Sequence, residues 1–121
     1  MILDTYISQF PFTKGIGKMK TLSVLDALNE IKEGKYKKEI EKIRSGDKEV
    51  KKTLPTTAFH GLFDEIREKK SFIESSGLII IDIDDVPEDE IVEAKQDIMD
   101  SSNNVLACMI SPSGDGIKLL Y

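Results

Sequence analysis

Apolar and polar positions alternate with different periods along the chain, and each period predicts an element. Residues 2–10 alternate loosely and stop at Pro11, which predicts a first strand, and Gly15 and Gly17 mark a loop after it. Leu22, Leu25, Leu28 and Ile31 keep one helix face apolar, with Thr21 placed to cap it and Gly34 where a left-handed C-terminal residue is expected. Tyr36, Ile40 and Ile43 repeat at spacings of four and three, so a second amphipathic helix runs to about Ser45 and stops at Gly46. Pro55 and the β-branched Thr56-Thr57 predict extended chain over residues 53–59, leading into Gly61 and Phe63 and packing beside the central strands.

The second half reads more sharply. Leu78-Ile79-Ile80-Ile81 is a continuous apolar run with β-branched residues, which predicts a central strand over residues 77–84 covered on both faces. Pro87 with Glu88, Asp89 and Glu90 suits a helix opening, because proline tolerates the first turn and acids favour the positive end of the dipole. Ile91, Ala94, Ile98 and Met99 give that helix its apolar stripe. Residues 105–110 form a further apolar strand, Ser111-Pro112-Ser113-Gly114-Asp115-Gly116 a turn, and residues 117–121 resume extended structure. The order of elements predicts an α/β or α+β fold. A length of 121 residues suits one domain over residues 1–121, and stopping within a strand leads us to expect an excerpt of a longer protein, truncated at its C-terminus.

Composition narrows the class. Apolar and charged fractions of 40% and 32% are those of a globular protein, and no apolar run approaches the roughly 20 residues that span a bilayer. Met1-Ile2-Leu3-Asp4 lacks the basic start of a secretory signal and Cys108 has no second cysteine, so a reducing cytoplasm is expected. The formal charge of −5 argues against a polyanionic partner until its distribution is considered. From Lys32 to Lys52 there are nine basic residues against five acids, whereas from Asp82 to Asp100 nine acids face Lys95 alone.

Candidate chemistry gathers at the end of the apolar run. Side chains alternate across a strand, so Asp82 and Asp84 share a face about 6 to 7 Å apart and repel unless something positive intervenes. Mg²⁺ or Mn²⁺ suits such a pair, since hard cations take oxygen ligands and stay partly hydrated on phosphate substrates. The ordinary alternative is a solvated strand end with Asp82, Asp84 and Asp85 leading into a helix. Ser111, Ser113, Gly114, Gly116 and Lys118 supply hydroxyls, backbone that a ligand can approach, and a cation, although many hairpins use Ser-Gly and Asp-Gly for turn geometry alone. If the strand over residues 105–110 lies beside the one over residues 78–81, acids and lysine share one cleft. His60, between Phe59 and Gly61, reads as a structural polar residue, and the lysine-rich second helix as either a nucleic-acid groove or an ordinary solvated face.

A family resemblance rests on an ordered series: Lys52-Thr53-Leu54-Pro55, Phe59-His60-Gly61-Leu62-Phe63, Arg67, residues 76–84 and residues 111–118. Together these look like the VirE N-terminal, or BT4734-like, domain, which is similar to the archaeo-eukaryotic primase superfamily. The resemblance implies an RRM-like, primase-type sheet with flanking helices and metal-dependent nucleotidyl transfer. It implies that Asp82 and Asp84 bind Mg²⁺ or Mn²⁺, that Ser111, Ser113, Gly114, Gly116 and Lys118 hold a nucleoside triphosphate, and that Lys52 and Arg67 contact phosphate or template. The implied partners are a nucleoside triphosphate and single-stranded or template DNA, with a helicase or other replication domain in a phage or mobile-element parent protein. Two departures stand out: Lys118 occupies a position where the superfamily commonly has histidine, and the third acid would come from a later strand.

Two other readings share these residues. Residues 78–86 also resemble the first motif of haloacid-dehalogenase phosphatases, with Asp82 as nucleophile and Asp84 as acid/base. A non-catalytic module that recruits DNA or a replication partner is the third.

Overall fold

The computed structural model describes residues 2–11, 19–64, 71–101 and 104–121. Helices combine with short antiparallel sheets, so the fold is α+β. The chain divides into two compact units, Met1–Leu78 and Ile79–Tyr121. No helix among the described residues is long and apolar enough to cross a membrane.

In the first unit a short 3₁₀ turn, Ile2–Asp4, precedes strand β1 (Tyr6–Phe10), so the strand starts later than the alternation suggests. β1 lies between β2 (Lys20–Ser23) and β3 (Thr56–Ala58), antiparallel to both. The segment around Pro55 therefore pairs with the first strand and not with the apolar run after Gly77. Ile7, Ser8, Gln9 and Phe10 are all buried, which makes β1 the strand covered on both faces in this unit. Two polar residues survive there because each is satisfied: Ser8 Oγ accepts the Phe63 N–H, and Gln9 Nε2 donates to Glu30 and to Thr57.

Helix α1 (Val24–Lys32) is capped by Ser23, whose hydroxyl accepts the Asp26 N–H, and not by Thr21. Leu22 is thereby left in β2, and the buried helix residues are Val24 and Ala27, while Leu25 and Ile31 are exposed. Pairing of residues 20–23 with β1 outweighs helix propensity at Thr21 and Leu22. Helix α2 (Lys37–Arg44) follows the expected span. Both helices end in the same paired bonds: Lys35 N–H to Glu30 O with Gly34 N–H to Ile31 O, then Asp47 N–H to Lys42 O with Gly46 N–H to Ile43 O. A 3₁₀ segment, Lys48–Thr53, then packs on α2.

Strands β4 (Gly61–Phe63) and β5 (Phe72–Ser75) form a hairpin whose aromatic side chains continue the core. Phe10 meets Phe63 edge-on, and the His60 ring lies edge-on to Phe63 and parallel to Phe72. His60 is thus a member of an aromatic cluster, in keeping with a structural part.

Glu30 ties α1 to this sheet, accepting from Gln9 at 2.9 Å, Lys35 at 2.6 Å and Lys20 at 3.3 Å. Burial pushes its carboxyl up, but the hydrogen bonds from Lys35, Gln9 and Lys20 outweigh it and hold the group below its usual 4.5. The unfolded chain therefore takes up a proton more readily than the folded one. The stabilisation is present above pH 4.5 and is lost as pH falls through the lowered value. Glu30→Gln is expected to make the first unit less stable at neutral pH and less sensitive to acid, as urea midpoints compared at neutral and acid pH would record.

The second unit runs β6 (Ile80–Ile83), a 3₁₀ turn at Glu88–Glu90, α3 (Ile91–Ser101), β7 (Ala107–Ile110) and β8 (Ile117–Leu120). The sheet order is β6-β8-β7, with β8 antiparallel to both neighbours. β6 and β7 are therefore parallel with β8 inserted between them, the split βαβ arrangement that forms half of a βαββαβ sheet. α3 lays Ile91, Ala94 and Ile98 on Ile117 and Leu119, with Cys108 and Ile110 alongside. Met99, expected in that stripe, is exposed. Burial pushes the Cys108 thiol up from its ordinary value.

This arrangement corrects the expectation for the apolar run. β8, with Ile117, Leu119 and Leu120 buried, is the central strand, and β6 is an edge of its sheet among the described residues. Ile79, Ile81 and Ile83 are 62%, 42% and 36% exposed. The tight turn after β7 returns β8 alongside it, and β8 takes the place beside β6 that β7 was expected to fill.

Candidate phosphate and metal site

Register places the candidate residues. Asp82 is directly opposite Lys118, and Met109 lies opposite Lys118 on its other side. Ile81 and Ile83 share a row with Leu119 and Ile117, whose side chains meet α3, so alternation turns the Asp82, Lys118 and Met109 row to the other face of the sheet. Lys118 Nζ lies 3.0 Å from Asp82 Oδ1, and the two side chains are 44% and 51% exposed. A cation thus stands beside the first acid, at a position open to solvent.

Asp84 follows one residue beyond the last paired position of β6 and is exposed. Asp85 has φ 58, in the left-handed region, so the backbone turns sharply after the acid pair. Val86 N–H then donates to Asp115 O at 2.8 Å. That bond fastens the turn after β6 to the β7–β8 loop, so the acidic strand end and the Ser111–Gly116 loop meet. Sequence reasoning placed Asp115 only in a turn; its backbone carbonyl carries no side-chain signal that would reveal this role.

Within the loop Ser111 closes the hairpin. Its N–H donates to Gly116 O, and its hydroxyl accepts the Gly116 N–H at 3.0 Å. Gly114, at φ 82, donates its N–H to Ser111 O. Both glycine amides are therefore engaged inside the loop. Gly116 is also steric: a β-carbon there would come within 3.2 Å of the Ile83 carbonyl and of Ser111 Oγ. Ser113 is half-buried at the loop's tip.

Lys52 belongs to the first unit, where it is exposed and pairs with Glu49 at 3.0 Å. Arg67 lies outside the described residues. Among the described residues no group of three or more His, Cys, Asp or Glu side chains forms a metal-binding cluster. Two exposed carboxylates at a strand end, all-oxygen donors, nevertheless fit an ion that keeps part of its ligand shell as water and phosphate. Ser111 leads through a tight turn into β8 and not into a helix, so the helix that a phosphatase of the haloacid-dehalogenase type places after its hydroxyl does not follow it here.

These features define an α+β protein whose second unit presents a solvent-exposed aspartate–lysine pair across two strands, beside a hairpin loop fastened to an acidic turn. Residues 49–121, more than half of the chain, match the family described as BT4734-like, N-terminal domain, and the chain belongs to that family. No curated protein and no solved structure matches the chain.

Proposed function

We propose that the second unit carries the nucleotide-binding face of a primase- or polymerase-type nucleotidyltransferase domain, acting with nucleic acid and a divalent metal. The observation that carries this reading is the cross-strand pair of Asp82 and Lys118, with the Ser111–Gly116 loop tied to the turn after Asp84. Nucleotide phosphates need cations and a metal needs carboxylates, and both are supplied on adjoining strands.

In this reading Asp82 and Asp84 hold Mg²⁺ or Mn²⁺. With an ion held there, the two carboxylates would supply the site with Lewis-acid chemistry: charge neutralisation for phosphates and a lowered pKa for an attacking hydroxyl. Lys118 supplies a positive charge to the triphosphate and in its absence neutralises Asp82. Ser113 offers a hydroxyl at the loop tip, while Ser111, Gly114 and Gly116 fix the loop's shape, so phosphate is met chiefly by side chains. Lys52 and Arg67 are assigned to phosphate or template contact, as the family resemblance implies.

The test is nucleoside triphosphate binding measured calorimetrically with and without Mn²⁺. Binding is expected to depend on the metal and to lose that dependence in the Asp82→Asn, Asp84→Asn variant. An undiminished metal effect in that variant would remove the two acids from the site. Unchanged DNA affinity in the variant, together with no metal binding by the parent chain, would instead favour a non-catalytic module.

A further inference from the structure

The first unit carries a positive stretch of which the nucleotide reading uses Lys52 alone and most of which precedes the family match. Between Lys37 and Lys52 the chain has seven basic residues and four acids, within a protein of net charge −5. On α2, Tyr36, Ile40 and Ile43 form the inward side, so the opposite edge is led by Lys38 and Lys42, one turn apart, with Glu41 beside them. The 3₁₀ segment packed on α2 adds the exposed Lys48 and Lys51, which eclipse each other at a spacing of three.

The ion pairing is selective. Lys20 and Lys35 are held by Glu30, and Lys52 by Glu49. Lys38, Lys42 and Lys48 are exposed and pair with no acid among the described residues, although Glu39, Glu41 and Asp47 are neighbours in sequence. Their positive charges remain available.

We propose that α2 and the following 3₁₀ segment hold the phosphate backbone of a nucleic-acid strand through Lys38, Lys42 and Lys48. A membrane surface fits poorly, because a helix that lies in a bilayer interface inserts an apolar face, and none of the exposed large apolar side chains lies between Lys32 and Lys52. A protein partner fits poorly too, because interface cores are depleted in lysine and anchored by exposed aromatic residues, whereas Tyr36 is half-buried. Point charges on flexible stems suit a repeating phosphate whose exact position is not fixed.

The test is fluorescence anisotropy of the full chain with a labelled single-stranded oligonucleotide across a salt series. Three lysine contacts at about 0.7 counterions each give a log–log slope near −2, or roughly a 20-fold loss of affinity for a fourfold rise in salt. The Lys38→Gln, Lys42→Gln, Lys48→Gln variant is expected to flatten that slope and to bind about tenfold more weakly or worse at low salt. It should keep Mn²⁺-dependent nucleotide binding, so failure of this surface and failure of the nucleotide site are separable. An unchanged slope in the variant, or tighter binding to anionic phospholipid vesicles than to the oligonucleotide, would overturn the assignment. A circular dichroism spectrum identical to the parent's confirms that the variant is folded.

Discussion

Gly61→Ala is expected to destabilise the first unit by about 3 kcal/mol, at the upper end of what overpacking costs. A β-carbon at residue 61 would stand 2.4 Å from the Glu74 carbonyl oxygen and 2.6 Å from Phe72 Cε2. The ring could turn aside, but the carbonyl belongs to β5, the strand paired with β4, and cannot yield without spreading the hairpin. Displacing Phe72 also breaks its stacking on His60 and its edge contact with Phe63, which links the hairpin to Phe10. Urea unfolding followed by far-ultraviolet circular dichroism measures the effect. A midpoint equal to the parent's would mean that the two strands are not held this closely.

Lys118→Met separates folding from binding. An ion pair exposed on both sides is worth about 0–1 kcal/mol, so removing the amine should leave the stability of the second unit nearly unchanged. A hydrogen bond between an ammonium and a phosphate contributes about 1.5–3 kcal/mol, so triphosphate affinity should fall roughly 10- to 100-fold. Methionine keeps the length and apolar stem of the side chain, which leaves the row with Met109 in place. Unaltered nucleotide affinity in this variant would detach the lysine from the phosphates.

Legibility from sequence differed between elements for physical reasons. The ends of α1 and α2 were readable at Gly34 and Gly46, because these stops are local and depend on one residue's backbone freedom. The start of α1 was not: residues 20–23 pair with β1, a non-local interaction that propensity at Thr21 does not record. The apolar run at residues 78–81 promised a strand buried on both faces, whereas the loose alternation over residues 2–10 promised only a first strand. Burial followed sheet position, with β1 central and its polar side chains satisfied by Phe63, Glu30 and Thr57. At the candidate site, the alternation that turns Asp82 to one face and the turn that returns β8 were both legible. The insertion of β8 between β6 and β7 was not, yet it is what sets Lys118 opposite Asp82.

β6 is an edge of its sheet among the described residues, which has a consequence for handling the protein. Ile79, Ile81 and Ile83 are punctuated by Asp82, paired with Lys118, and by Asp84, and charged groups at such positions disfavour the stacking of other copies on an apolar edge. The carboxylates thus serve as gatekeepers against fibril formation as well as ligands in the proposed site. Neutralising both leaves residues 77–84 with no charge at all, and preparations of that variant call for dilute solution and a check by light scattering before any loss of binding is credited to chemistry.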